Sequence, residues 1–159
     1  MSDWKPELDA IVGARHGGRI DHVVDLLRKL DARYPNVAEI AYQLAWTLET
    51  HGKPAEALPH YDKAITLGLV PNEHANALIG LATTLRSLGD SKRAADVLRS
   101  GQLQFPDNRE FDAFLALALH DLGQHGEALQ LALTLLADTS EDPGITAYQR
   151  ALRFAAGRL

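Results

Sequence analysis

Seven histidines are the residues best suited to do chemistry in this 159-residue chain, and their spacing decides what they can do. A helical zinc site of the H-E-x-x-H type needs two histidines four apart, so that both rings leave one face. His16, His22, His51, His60, His74, His120 and His125 offer no such pair. The pairs His16/His22 and His120/His125 straddle glycines instead, which places them at turns. There is no cysteine, so thiolate metal sites, disulfides and cysteine nucleophiles are excluded. Gly13-Ala-Arg-His-Gly-Gly18 lacks the glycine spacing, the Lys-Ser/Thr ending and the preceding strand of a phosphate loop. No Gly-x-Ser-x-Gly elbow occurs. Glu141-Asp142 sits in a polar linker, and Glu39 and Glu110 stand where first-turn carboxylates favour helix N-termini. The residues define no catalytic set, no metal site and no cofactor site, and the expectation is a non-catalytic protein.

The elements that would hold these residues form a repeat. Leu44-Ala45, Leu48, Gly52, Ala57, Tyr61 and Ala64 recur as Leu81-Ala82, Leu85, Gly89, Ala94, Leu98 and Gly101. They recur again as Leu115-Ala116, Leu119, Gly123, Ala128, Ala132 and Leu135, with a weaker copy in Ala10-Ile11, Ala14, Gly18, Val23, Leu27 and Leu30. Within each period the apolar residues follow helical spacing, as Ile40, Leu44, Leu48 and then Leu58, Tyr61, Ile65 do. Glycines 52, 89 and 123 are predicted to end the first helix of each pair in a left-handed conformation. Pro35, Pro71 and Pro106 break the chain between pairs and precede N-cap candidates Asn36, Asn72 and Asp107. Asn36 with Glu39, and Asp107 with Glu110, have capping-box spacing. The predicted helices are 4–16, 19–33, 37–51, 54–67, 73–88, 91–104, 108–122 and 125–137. A ninth, opening at Pro143 and running to about Ala156, would cover the exposed end with a stripe of Ile145, Tyr148, Leu152 and Ala155.

Composition agrees with helices that approach closely. Hydrophobic residues make up 46% and aromatics only 6%, so Leu and Ala must build the core rather than the β-branched and aromatic residues a sheet favours. A net charge of −5, without a run of Lys or Arg, disfavours nucleic acid, whose phosphates require a cationic footprint. No stretch of about 18 apolar residues is present, so no membrane span is expected. The polar N-terminus carries no secretory apolar run, and a cytoplasmic location is the expectation.

This pattern resembles the tetratricopeptide repeat in its period, its recurring small residues, the glycine within each unit and the proline at its end. Ala41, Leu78 and Asp112 depart from the family by replacing its usual Trp, and Leu48, Leu85 and Leu119 replace its usual Tyr. Over about residues 39–157, Gly80-Leu-Ala-Thr-Thr-Leu-Arg-Ser-Leu-Gly89, Phe105-Pro-Asp107, Phe114-Leu-Ala-Leu-Ala-Leu-His-Asp-Leu-Gly123 and Tyr148-Gln-Arg-Ala-Leu-Arg-Phe154 resemble the bacterial tetratrico peptide repeat group 5 proteins. The resemblance implies an all-α, right-handed superhelical solenoid of four helix pairs plus a C-terminal capping helix. It would be one domain over 1–159, with repeats at about 4–35, 36–71, 72–107 and 108–142 and the cap at about 143–157.

In such arrays the first helix of each pair lines a concave face. The resemblance places Lys5, Leu8, Val12, Glu39, Tyr42, Gln43, Trp46, Asn76, Ile79, Thr83, Arg86, Phe114, Leu117 and His120 there. Tyr42, Trp46, Ile79, Thr83, Arg86, Phe114, Leu117 and His120 are the partner-binding candidates, because aromatic and large apolar anchors dominate protein interfaces. The carboxylate clamp of chaperone-binding members would fall on Leu8, Val12, Gln43, Asn76 and Gly80, and it is absent. The predicted function is a scaffold that binds a protein partner's peptide or helix. A homodimer, associating through the terminal helix at Phe154 or through the groove, is the alternative.

Overall fold

A computed structural model describes residues 3–159 as α-helices joined by short turns, with no strand among the described residues. Two compact units divide at Leu88 and Gly89.

The first unit contains α1 (Trp4–Gly13), α2 (Ile20–Arg33), α3 (Ala38–Thr50), α4 (Pro54–Leu67) and α5 (Pro71–Ser87). Its core is Leu27, Leu30, Ile40, Ala41, Leu44, Ala45, Leu48, Ala57 and Ala64, all at 0% exposure. Each such leucine contributes roughly 1.5–3 kcal/mol relative to an exposed one, while the alanines let neighbouring helices close on each other. Gly80 on α5 shows how close that approach is. A Cβ there would lie 2.4 Å from the Tyr61 hydroxyl oxygen of α4, so only glycine fits beneath the ring.

The second unit contains α6 (Ser91–Gln104), α7 (Glu110–Asp121), α8 (His125–Thr139), α9 (Pro143–Ala147) and α10 (Gln149–Ala156). Gly101 on α6 repeats the arrangement with the large residue on the following helix. A Cβ there would stand 2.2 Å from Cε1 of Phe111 on α7. The Phe111 ring is fully buried and stacks on Phe105 with centroids 6.2 Å apart. At the carboxyl end α10 lies along α8, anchored by Gln149 Nε2 donating to the Ala137 carbonyl at 2.8 Å and by Arg153 pairing with Asp138 at 2.7 Å.

The predicted left-handed terminators are present, with φ of 76° at Gly52, 86° at Gly89 and 78° at Gly123. Several local expectations are corrected. Helix α1 stops at Gly13, and the chain then turns Arg15 inward to 6% exposure. Leu8, expected on the binding face, is a core residue at 2% exposure. Pro71 is the first helical residue of α5 rather than a breaker ahead of Asn72, since a proline there sacrifices only an N–H that the first turn leaves unpaired anyway. Neither proposed capping box forms. Val37 and Arg109 precede α3 and α7, and neither makes a side-chain cap bond. The carboxylates that do cap are Asp90, accepting from Arg93 N at 3.1 Å, and Asp142, accepting from Ile145 N at 3.0 Å. The terminal helix breaks at Tyr148, which is 68% exposed, and Ala156 rather than Ala155 is buried. The polar anchors at Gln149 and Arg153 set the register there, and apolar periodicity carries no signal of them.

Candidate functional site

In the first unit, α3 and α5 present Tyr42, Trp46, Ile79, Thr83 and Arg86, together with a residue that periodicity missed. The Arg15 guanidinium carbon lies 4.2 Å from the Trp46 ring centroid, and its Nη2 donates to Gln43 Oε1 at 2.6 Å. Its Nε has no partner. Burial lowers its pKa, opposed by the nearby Tyr42 and Tyr61 side chains. A desolvated cation over an indole face is worth up to about 2 kcal/mol, so Arg15 fixes the Trp46 ring and leaves it 37% exposed. The signal that could have found it is the interrupted pattern of Gly13–Gly18: an arginine in a glycine-rich turn has a free path back over the helix pair.

Behind this face lies a set of half-buried polar groups. The Tyr61 hydroxyl donates to Glu49, and the Tyr61 ring stands 6.4 Å from that of Tyr42, tilted by 52°. Burial raises the Glu49 carboxyl above its ordinary value, and the bond from Tyr61 opposes the shift. Burial also raises Glu73, whose Oε2 is unpartnered, with Glu39 adding to the shift and Lys5 opposing it. Lys5 bridges Asp9 and Glu39 at 3.1 Å each. The Thr83 hydroxyl donates to the Ile79 carbonyl at 3.0 Å, so it is spent within α5. These contacts make a tyrosine- and tryptophan-bearing surface backed by half-buried polar groups.

In the second unit, Leu117 and His120 of α7 line an open groove of about 710 Å³ between α7 and α8. Its floor is alanine (Ala113, Ala116, Ala128 and Ala132), and Leu129, Leu135 and Leu136 form the α8 wall. Leu117, Leu129 and Leu136 remain 46%, 49% and 42% exposed. His120 and His125 close the turn end, their Nδ1 atoms 2.9 Å apart with one ring donating to the other. No cluster of three or more metal-ligating side chains exists among the described residues. Phe114 is half-buried and does not line this groove. Sequence reasoning named Leu117 and His120 but missed the α8 wall, because second helices were assigned to packing alone. No helix among the described residues is long and apolar enough to cross a membrane.

The tetratrico peptide repeat family model matches residues 38–159. The chain belongs to this family. The solved structures similar to it have the same all-α tetratricopeptide fold. A crystal structure of MamA protein shares 19% identity, with 99% of this chain and 88% of that chain covered and a TM-score of 0.75. YrrB, described as a TPR protein with an unusual peptide-binding site, shares 18% identity over 98% of this chain and 78% of that one, with a TM-score of 0.73. PilF of Pseudomonas aeruginosa shares 17% identity over 98% and 69%, with a TM-score of 0.70. No curated protein sequence matches the chain. As a tetratricopeptide repeat protein, the chain is a protein-interaction scaffold in the general sense of its family.

Proposed function

We propose that this tetratricopeptide repeat protein is a non-catalytic scaffold that binds a peptide or helix of a partner protein on the face shared by its first helices. In such arrays that face is the concave one. The observation that carries the reading is the groove of about 710 Å³ between α7 and α8, apolar, open and lined by Leu117 and His120. Tyr42 and Trp46, held by Tyr61 and Arg15, give the first unit an aromatic surface of the kind that anchors partners. YrrB, which has this fold and a peptide-binding site, supports the same reading.

The test is photo-crosslinking in cells that make the protein, with a photoreactive phenylalanine analogue placed at Trp46, Thr83 or Leu117. Leu103, 85% exposed on α6 and outside the groove, is the control position. Adducts to one discrete protein from the three test positions, and none from Leu103, are the expected result. Equal labelling at all four positions would sink the reading. Adducts only between copies of this chain would favour the homodimer instead.

A further inference from the structure

We propose that Arg15 is the receptor for one carboxylate side chain, a glutamate or aspartate within the partner's bound segment, an inference that rests on the scaffold reading and names a contact inside it. Arg15 is 6% exposed and forms no ion pair among the described residues. Lys63, Arg109 and Arg153 are all more exposed, and each pairs with a carboxylate, at 2.7, 3.0 and 2.7 Å. A guanidinium has five N–H donors. On Arg15 one of them, at Nη2, is used, and its acceptor is the uncharged amide oxygen of Gln43 at 2.6 Å. Nε is buried without an acceptor, and Nη1 makes no hydrogen bond among the described residues. Burying a charge is costly unless an opposite charge and hydrogen bonds compensate it. The Trp46 ring, 4.2 Å away, attracts the cation without neutralising it. A carboxylate would do both, accepting from the free donors and supplying the missing charge.

The carboxylates of this unit are engaged elsewhere. Glu49 accepts from the Tyr61 hydroxyl, and Lys5 holds Asp9 and Glu39. Glu73 lies with Glu39 and Lys5, and it does not pair with Arg15.

Burial and charge define the form of the ligand. A guanidinium this recessed is reached by a carboxylate on a thin methylene stem. A chain-terminal carboxylate would have to bring its own backbone into the recess, and the polar clamp that holds such ends is absent at Leu8, Val12, Gln43, Asn76 and Gly80. Trp46, 37% exposed and fixed beside Arg15, offers its ring to an apolar residue next to the carboxylate. The chain carries a net charge of −5, which repels an acidic run. One carboxylate among apolar or basic neighbours is the chemistry that fits.

The test selects peptides of about 12 residues from a randomised library on the immobilised full chain. Each peptide is displayed between two folded domains, so that none has a free carboxyl end. Binders should share one Glu or Asp beside a large apolar residue, and their affinity should fall as salt rises. For the tightest binder, replacing the peptide's carboxylate by its amide and Arg15→Gln in the protein should each weaken binding about tenfold. Together they should weaken it no further, because both remove the same contact. A residue that only props the Trp46 ring would give additive losses instead. Gln43→Glu offers Arg15 a carboxylate of its own where the amide now accepts. It should raise the urea midpoint and weaken the peptide by about tenfold, which keeps the proposal testable if Arg15→Gln fails to fold. Leu103→Asp leaves binding unchanged. Additive losses, or a Gln43→Glu protein that binds like wild type, overturn the proposal. Binders found only in a second library with free carboxyl ends, and lost on amidation, overturn it in favour of a terminal carboxylate. Selected peptides that share no acidic residue, or no binders at all, overturn it as well. The scaffold reading fails separately, through the crosslinking result.

Discussion

Gly80→Ala tests the close approach that holds Tyr61, and with it the support of Tyr42 and Glu49. The added methyl would lie 2.4, 2.5 and 2.7 Å from Oη, Cζ and Cε1 of Tyr61. Ordinary contact between such atoms is about 3.5–4.0 Å, so the ring must retreat by about 1 Å. Tyr61 is fully buried, leaving no space for that retreat. Overpacking of this kind costs about 1–3 kcal/mol. Alanine gains about 0.5–1 kcal/mol over glycine in a helix interior. The net expectation is destabilisation of about 0.5–2 kcal/mol. Urea denaturation of the wild type, Gly80→Ala, Tyr61→Leu and the double variant forms a cycle that isolates the clash. In the Tyr61→Leu background, Gly80→Ala should become neutral or stabilising, since only the helical preference remains. Gly13→Ala, where nothing lies within 4 Å of the added methyl, is the control and should not destabilise. A Gly80→Ala protein at least as stable as wild type would refute the argument. So would a destabilisation that persists undiminished when Tyr61 is removed.

Other expected outcomes follow from the same structure. Alanine at Gly52, Gly89 or Gly123 must adopt the left-handed conformation and should cost about 1–2 kcal/mol at each site, read as a lower urea midpoint; no change at all three would remove their role as helix terminators. Leucine at Ala57 or Ala94, both at 0% exposure, should cost about 1–3 kcal/mol. Leucine at Ala128, which is 8% exposed on the groove floor, should cost less, and equal losses at all three would mean that the groove is closed in solution. Burial raises the Glu49 carboxyl in the folded protein, so the folded state holds that proton more tightly than the unfolded one. Its effect on stability is absent below the ordinary value of 4.5 and turns unfavourable as pH rises through the raised folded value. Glu49→Gln, which keeps an acceptor for Tyr61, should therefore gain stability relative to wild type at neutral pH but not below that value; urea midpoints at both conditions decide it, and a gain of equal size in acid would refute the cause.

The repeat was legible in the sequence because it is written in residues whose roles are local. Glycine at 52, 89 and 123 ends a helix through its own backbone freedom, and the Leu/Ala spacing marks the buried stripe of each helix without reference to any other. Helix α4 at 54–67 and α6 at 91–104 were predicted to the residue. The ends that failed are those set by distant partners: Arg15 turning onto Trp46, and Gln149 reaching the Ala137 carbonyl. Neither contact has a periodic signature, since each joins residues that only the folded chain brings together. The chosen N-caps failed for a related reason. Val37 and Arg109 stand where Asn36 and Asp107 were expected, because packing of the helix pair fixes where the first turn begins.

For the candidate site, the sequence alone determined a family of helix pairs and which helix faces differ from repeat to repeat. Trp46, Leu117 and His120 came from the family resemblance, which puts the first helices on the concave face, and the histidine spacing argued against a zinc site. What only the tertiary structure decided is which of those faces remains uncovered. The residues at Ala57, Ala94 and Ala128 are identical, and nothing in them tells that a helix closes over the first two surfaces while the third opens as a groove. That difference arises because α10 follows the stripe marked by Gly126 and Ala137 instead of the one marked by Ala128 and Ala132. Burial is a property of what packs opposite a residue, and a repeat repeats only the residue.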